Sequence, residues 1–452
     1  MASFENLYTL LENKNYSSFM IAIDEVDPVD AAYFIADLPQ EKQLPVFRML
    51  KQDIAADIFA ELDIDIKERI IASATDTELS VMIEDLFVDD AVDMLEELPA
   101  GMVKRILKAA KPETRNIINK FLSYPEDSAG SIVTAEFIDL RKTMSVGEAI
   151  AHIRKTGFDK ETVYVAYVTD NARILEGTVR LEELLFAEDD TLVSHVMNTE
   201  FAFAGTHDDK ETAASIISRY DLLALPIVDK EKRLVGIVTF DDAIDVIEEA
   251  ATEDMEMMGA ITPTDKPYLK TGVFETFKTR IPWLLLLMVS ATFTGQIIAG
   301  FEGALAAFPM LIAFIPMLMG TGGNSGGQAS VTVIRGLALR EIRMRDIIKV
   351  VWKELRVALL CGIVLAVCNY IKIILVDNMI FGNGISPLSS LVVSLTLLVT
   401  VLVSKIIGAS LPILAKRIGF DPAVMASPFI TTIVDAVSLL IYFAFAKMIL
   451  GI

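Results

Sequence analysis

Phe429-Ile-Thr-Thr-Ile-Val-Asp-Ala-Val-Ser-Leu-Leu-Ile-Tyr-Phe443 carries one carboxylate, Asp435, in the middle of an apolar segment running from about residue 423 to residue 450. That length is enough for a helix to cross a bilayer, which takes roughly 20 residues. Asp435 lies about 15 residues from the segment's end, so at a rise of ~1.5 Å per residue it falls near the membrane midplane. An ionised acid there costs on the order of 3 kcal/mol or more. Such a residue is retained when something positive visits it, so the stretch predicts a membrane protein with a cation pathway.

Working outward, apolar runs predict four more spans, at about 281–301, 308–333, 354–376 and 387–412, with the fifth at 423–449. Lys and Arg cluster before the first span, between the second and third, and between the fourth and fifth. The loops after the first and third spans carry none. By the positive-inside rule the N-terminal half is cytoplasmic and the C-terminus lies outside, in a multi-pass protein of the cell membrane. The start, Met-Ala-Ser-Phe-Glu-Asn, has neither a basic nor an apolar signal region, so the first half is expected to stay where it is made.

The second span contains Pro316-Met-Leu-Met-Gly-Thr-Gly-Gly-Asn-Ser-Gly-Gly-Gln-Ala-Ser330. It resembles a phosphate loop only in its glycines, and no Lys follows in phosphate-loop spacing, so that reading is rejected. Glycines in a membrane helix permit close packing. The amides of Asn324 and Gln328 are costly in lipid and should face protein or water, which suits a pore wall. Lys405, in the fourth span, either snorkels to the cytoplasmic end or pairs within the bundle.

The 452-residue chain is 53% hydrophobic, with a mean hydropathy of +0.48 and a formal charge of −22. The charge is uneven. From Ile281 onward there are 7 acids and 12 bases, whereas residues 1–280 hold 55 acids and 28 bases. An acidic soluble half repels phosphate, which excludes a nucleic-acid binder, and it suits cations. Cys361 and Cys368 sit seven apart on one apolar helix and read as small packing residues. The three histidines lack metal-ligand spacing.

Residues 1–127 read as an acidic, all-α superhelical domain. Asp30-Ala-Ala-Tyr-Phe-Ile-Ala-Asp-Leu-Pro39, Ile54-Ala-Ala-Asp-Ile-Phe-Ala-Glu-Leu62 and Asp90-Ala-Val-Asp-Met-Leu-Glu-Glu-Leu-Pro99 repeat one unit, as in stacked short helices. Asp89, Asp90 and Asp93 are expected on one exposed turn and its continuation. Asp89 and Asp93, at i,i+4, repel by a few tenths of a kcal/mol, which either solvation or a bound cation offsets.

Residues 128–249 alternate helix and strand, with a duplicated unit: Val163–Val168 matches Leu223–Val228, Asp170 matches Asp229 and Gly177 matches Gly236. This resembles a tandem pair of cystathionine-β-synthase-type (CBS) domains. In the second copy, Leu234-Val-Gly-Ile-Val-Thr-Phe-Asp-Asp242 places Thr239 and Asp242 where many such domains hold a ribose. ATP or another adenine nucleotide is therefore an expected ligand. Arg180 and Glu183 stand there in the first copy. An acidic connecting helix, residues 250–280, follows through Pro263 and Pro267. Asp242, Asp245, Glu249 and Glu253 share one side of it and of the turn before it, either as a solvated face or as a divalent-ion switch just ahead of the membrane domain, residues 281–452.

The order of domains, with Tyr124-Pro-Glu-Asp-Ser-Ala-Gly130, Gly323-Asn-Ser-Gly-Gly-Gln328 and Asp421-Pro-Ala-Val-Met-Ala-Ser-Pro-Phe-Ile-Thr-Thr-Ile-Val-Asp435, resembles the MgtE family of magnesium transporters and channels over essentially the whole chain. The resemblance implies a homodimer with the pore between protomers, Mg²⁺ as substrate, and closure when cytosolic Mg²⁺ binds the acidic domains; it implies no enzyme. It makes Asp435 the pore carboxylate, with Thr431 one turn earlier and Asn324 and Gln328 beside it. It assigns Asp242, Asp245, Glu253 and Asp254, with Asp89, Asp90 and Asp93, to sensing clusters, and carries over Asp209, Asp221 and Asp421. The competing expectations are a transporter or exchanger for Co²⁺ or Mn²⁺, and a CBS-bearing sensor or anion channel. A central Asp argues against an anion path.

Overall fold

The computed structural model describes residues 2–264, 268–269, 271–425 and 427–451. It divides into two compact units, residues 1–248 and 249–452.

In the first unit the described residues begin with ten short helices: α1 (Ala2–Glu12), α2 (Tyr16–Ile23), α3 (Pro28–Asp37), α4 (Gln40–Phe47), α5 (Gln52–Ala60), α6 (Ile64–Ser73), α7 (Asp76–Asp85), α8 (Val88–Glu97), α9 (Ala100–Ala109) and α10 (Pro112–Phe121). Their lengths are written locally. The residue before a proline is barred from the helical region, and Leu38 and Leu98, each followed by Pro, end α3 and α8 in extended conformation. Thr75 and Glu78 start α7 with a reciprocal capping box. Next-but-one helices pack together, α3 on α5, α5 on α7 and α7 on α9, which is the superhelical stack that the repeat predicts. Phe19, Phe34, Ile58, Phe59 and Val92 are fully enclosed along its axis.

Two three-stranded sheets follow. β1 (Ile138–Leu140), β2 (Val165–Thr169) and β3 (Leu175–Arg180) form the first; β4 (Ala204–Gly205), β5 (Ala224–Val228) and β6 (Leu234–Thr239) form the second. In each, the first pair is parallel and the second antiparallel. The helices around them are α11 (Val146–Thr156), α12 (Leu181–Phe186), α13 (Val193–Val196) and α14 (Lys210–Tyr220). The duplication extends to single side chains. Asp170 Oδ1 accepts from the N–H groups of Ala172 and Ile174, and Asp229 Oδ1 does the same for Glu231 and Arg233, closing matching turns. Phe137, Tyr167, Ala224 and Ile237 pack the two sheets against each other.

Helix α15 (Phe240–Met258) follows β6 directly. The sequence predicts a connecting helix over 250–280, but the helix stops at Met258. Ala260, in the left-handed region at φ 55, turns the chain, and Pro263 cannot rejoin the helical ladder. Pro267 lies outside the described residues.

The second unit holds α16 (Val273–Gly300), α17 (Glu302–Ala307), α18 (Ile315–Ala338), α19 (Ile347–Lys372), α20 (Pro387–Arg417) and α21 (Ser427–Leu450). α16 begins before the span expected at 281, with Pro282 inside it. α19 continues as wider, π-type turns over Ile373–Ile380. Among the described residues, four helical segments, led by α16, α19, α20 and α21, are long and apolar enough to cross a membrane. α18 has the length, 24 residues, but glycine and hydroxyl side chains dilute its hydropathy. It packs on both α20 and α21, while α20 also packs on α19 and α21, and α16 packs on α21. Leu284, Leu285, Met288 and Phe293 of α16 and Leu360 and Val364 of α19 are exposed, as lipid-facing positions should be.

Candidate divalent-cation sites

The glycines of α18 set its packing. A Cβ on Gly322 would sit 2.8 Å from Ser438 Oγ and Thr400 Cγ2, and one on Gly323 would sit 2.8 Å from Thr431 Cγ2. At the crossing with α20, Gly408 lies against the backbone of Gly326. The stripe therefore brings α18 and α21 into backbone-close contact beside Thr431 and Val434, the residue before Asp435. Asp435 is half-buried, and Asn324 and Gln328 lie exposed on α18, away from its glycine face. The structure thus makes neighbours of the helices carrying Asn324 and Gln328 on one side and Thr431 and Asp435 on the other. The Thr431 hydroxyl donates to the Pro428 carbonyl at 2.8 Å, which leaves its lone pairs as acceptors. Asp421 turns the chain ahead of α21 by accepting from the Ala423 N–H at 2.6 Å. Lys405 pairs with Glu354 of α19 at 3.5 Å, both side chains largely enclosed, which resolves its two expected fates in favour of pairing.

The other candidate site lies in the first unit. Asp89 is expected on an exposed turn but is buried, at 9% exposure, with its Oδ1 lacking a hydrogen-bond partner. Burial and the neighbouring Asp90, Asp242 and Glu161 push its carboxyl well above the usual range. Burial raises Asp90 to about 6, against the pull of Lys67, and raises Glu161 to about 7, with Asp242 and Asp241 adding to it. Burial also lifts Asp242, although its Oδ2 accepts from the Thr239 hydroxyl at 2.5 Å and backbone N–H at 3.2 Å. Four carboxyl groups, from α8, the loop before β2 and the start of α15, are thus each raised by burial and by the charges of their acidic neighbours. Unneutralised, they repel; a hard cation held by one or two carboxylates and several waters fits them. Among the described residues no group of three or more acids, histidines or cysteines is placed to hold a metal ion.

Sequence reading missed Glu161. It stands in the Lys160-Glu161-Thr162 loop, where its backbone N–H donates to the Glu136 carbonyl at 2.9 Å, and it feels the charge of Asp242. Asp93 is exposed on α8, and Asp245 is felt by Asp242 one turn away on α15. Glu253 and Asp254 fall on the part of α15 that belongs to the second unit. Asp209 and Asp221 cap the two ends of α14. The first accepts from the Glu211 N–H at 2.8 Å, and the second adopts the left-handed conformation at φ 53.

A cleft of about 1060 Å³ opens between the two sheets, lined by Tyr164, Arg180, Asn198, Phe201, Asp221 and Pro226 among others. Thr239 and Asp242, expected to hold a ribose, are not in its lining. Thr239 is buried and its hydroxyl is spent on Asp242, which caps α15 as Glu183 caps α12.

These features define a membrane transport protein of bundled helices carrying an acidic helical domain and paired CBS modules. Three family profiles match the chain: a divalent cation transporter over residues 315–445, the MgtE intracellular N domain over 26–127 and a CBS domain over 193–249. The magnesium transporter MgtE of Thermus thermophilus is 33% identical over 449 residues, covering 98% of both chains. That of Bacillus subtilis is 31% identical, covering 97% of this chain and 95% of the relative. Among solved structures, the cytosolic domain of the Mg²⁺ channel MgtE in complex with ATP superposes with a TM-score of 0.51 at 31% identity, over 54% of this chain and 99% of that one. The soluble part of a magnesium transporter gives 0.53 at 28%, over 55% and 98%. The chain belongs to the MgtE family.

Proposed function

We propose that this protein is a passive, Mg²⁺-selective channel of the cell membrane, closed when cytosolic Mg²⁺ binds its acidic domains. The observation that carries the reading is α15. It is one continuous helix with Asp242 in the buried carboxylate cluster at its start, while Met257 and Met258 near its end pack against Ile334 of α18 and Ala423, just ahead of α21. Neutralising the cluster with a divalent ion would fix the helix that abuts the cytoplasmic ends of the two pore-wall helices.

The pore would lie between two copies of the chain, because Asn324 and Gln328 leave polar amides on an uncovered face of a membrane helix. Two-fold symmetry would set one Asp435 from each copy across the axis, with a hydrated cation between them. Inward movement of a divalent ion through 100 mV is worth about 4.6 kcal/mol, so no hydrolysis is needed. The cleft of the paired CBS modules would take an adenine nucleotide, with Tyr164 and Pro226 offering apolar surface to a base and Arg180 a positive charge to phosphate.

The test is Mg²⁺ flux into liposomes with Mg²⁺ varied on the cytosolic face. Flux should fall as that Mg²⁺ rises, and the Asp89→Asn, Asp242→Asn double variant should conduct at levels that silence the wild type. Equal inhibition of both would remove the switch.

A further inference from the structure

Helix α19 carries unpaired charge on its lipid side, at the end that the positive-inside rule assigns to the cytoplasm. Residues 357–371 hold no charged side chain, and Arg356 and Lys372 bracket them. At ~1.5 Å per residue those two are about 24 Å apart along the axis, less than the ~30 Å of a bilayer's hydrocarbon core. Arg356 is therefore rooted within the apolar layer, and its guanidinium has to reach out of it.

It does so along the helix's own surface. The side chain runs back toward the start of α19, with Nε donating to the Trp352 carbonyl at 3.4 Å and the guanidinium carbon 5.9 Å from the centre of the Trp352 ring. Trp352 and Lys353 are exposed beside it, and the same face continues into exposed Leu360, Ile363 and Val364. Neither cation has a carboxylate. α19 contains a single acid, Glu354, which is turned inward to Lys405 of α20 at 3.5 Å. Asp346, just ahead of the helix, pairs with Lys349 at 3.0 Å. Among the described residues no ion pair reaches Arg356 or Lys353.

We infer that this turn is a seat for an anionic phospholipid of the cytoplasmic leaflet. The terminal nitrogens of Arg356 and the Lys353 ammonium hold the headgroup phosphate, the Trp352 indole lies at the glycerol level, and acyl chains run along Leu360 and Val364. A planar guanidinium suits phosphate because it can grip it with two parallel N–H bonds. Net charge decides between lipids. A zwitterionic headgroup brings its own ammonium to two fixed cations, and an anionic one brings none. Placed for topology alone, the same residues would keep their end of α19 in the cytoplasm without choosing among lipids.

The experiment uses the full-length protein with Trp283→Phe, which leaves Trp352 the one tryptophan of the chain. It is reconstituted into phosphatidylcholine vesicles with a growing fraction of chain-brominated phosphatidylglycerol or chain-brominated phosphatidylcholine, and Trp352 fluorescence is followed. Bromine quenches an indole only at close contact. Half-maximal quenching should need about three- to tenfold less of the brominated phosphatidylglycerol. Arg356→Gln with Lys353→Gln should remove that difference, and Arg356→Lys should keep most of it. Equal quenching by the two lipids in the parent protein would overturn the seat, and this comparison needs no change at the seat itself. A preference that survives the double Gln variant would also overturn it, by placing the anionic lipid elsewhere. So would an absence of quenching by either lipid, which would show the face to be covered, as by a second copy of the chain.

Discussion

Gly408 and Gly326 meet backbone to backbone: a Cβ on Gly408 would lie 2.1 Å from the Gly326 carbonyl oxygen and 2.9 Å from its carbonyl carbon. No side chain can yield there, so α18 and α20 would have to part. Gly408→Ala should lower bundle stability by about 1–3 kcal/mol or more, the range for overpacking. It should also move α18 away from α21. Thermal melting in detergent and Mg²⁺ flux check both effects; wild-type values in each would show that the helices separate without consequence.

The Lys405–Glu354 pair crosses α19 and α20 at 3.5 Å with side-chain exposures of 7% and 12%. Glu354→Gln strands a buried ammonium, a change of the kind that costs about 3–5 kcal/mol. Replacing both, Glu354→Gln with Lys405→Met, should recover much of that loss. The ordering of the three melting temperatures is the measurement. A double variant no more stable than Glu354→Gln would mean that the pair is not the unit that matters.

Asp435 is the remaining acid inside the apolar stretch from 423 to 450, half-buried on α21 beside the glycine face of α18. Asp435→Asn keeps the shape and removes the charge. Mg²⁺ flux in liposomes should fall at least tenfold, the result of about 1.4 kcal/mol of lost cation stabilisation. Near-normal flux would displace the permeation path from this helix.

Much of this architecture is readable before folding because it is written in period and in single residues. Apolar runs give the spans, Leu-Pro steps end α3 and α8, and the 59-residue offset from Asp170 to Asp229 gives the paired sheets. Asp435, Asn324 and Gln328 stand out because polar groups are rare in such segments. The rest is tertiary. Asp89 looks like a surface acid until the fold buries it within reach of the charges of Glu161, 72 residues later, and Asp242, 153 residues later. Glu354 and Lys405 are 51 residues apart on different helices, with no local pattern to link them. The end of α15 at Met258 depends on a left-handed Ala260, which alanine rarely adopts and no propensity predicts.

The cluster also predicts how pH and metal act together. Unfolded, its acids would titrate near 4, whereas in the fold Asp90 is raised to about 6 and Glu161 to about 7. The folded chain then holds more protons than the unfolded one between pH 4 and 7. By linkage, its stability falls as pH rises through that window and levels off above it. With EDTA present, α8 should be better protected from hydrogen exchange at pH 5.5 than at pH 7.5, after correction for the intrinsic rate. Millimolar Mg²⁺ at pH 7.5 should restore the protection, and at pH 5.5 it should add little, because protons already occupy the carboxylates. Protection that rises with pH in EDTA would show these acids to be held by favourable partners in the metal-free fold, and would leave Mg²⁺ nothing to offset.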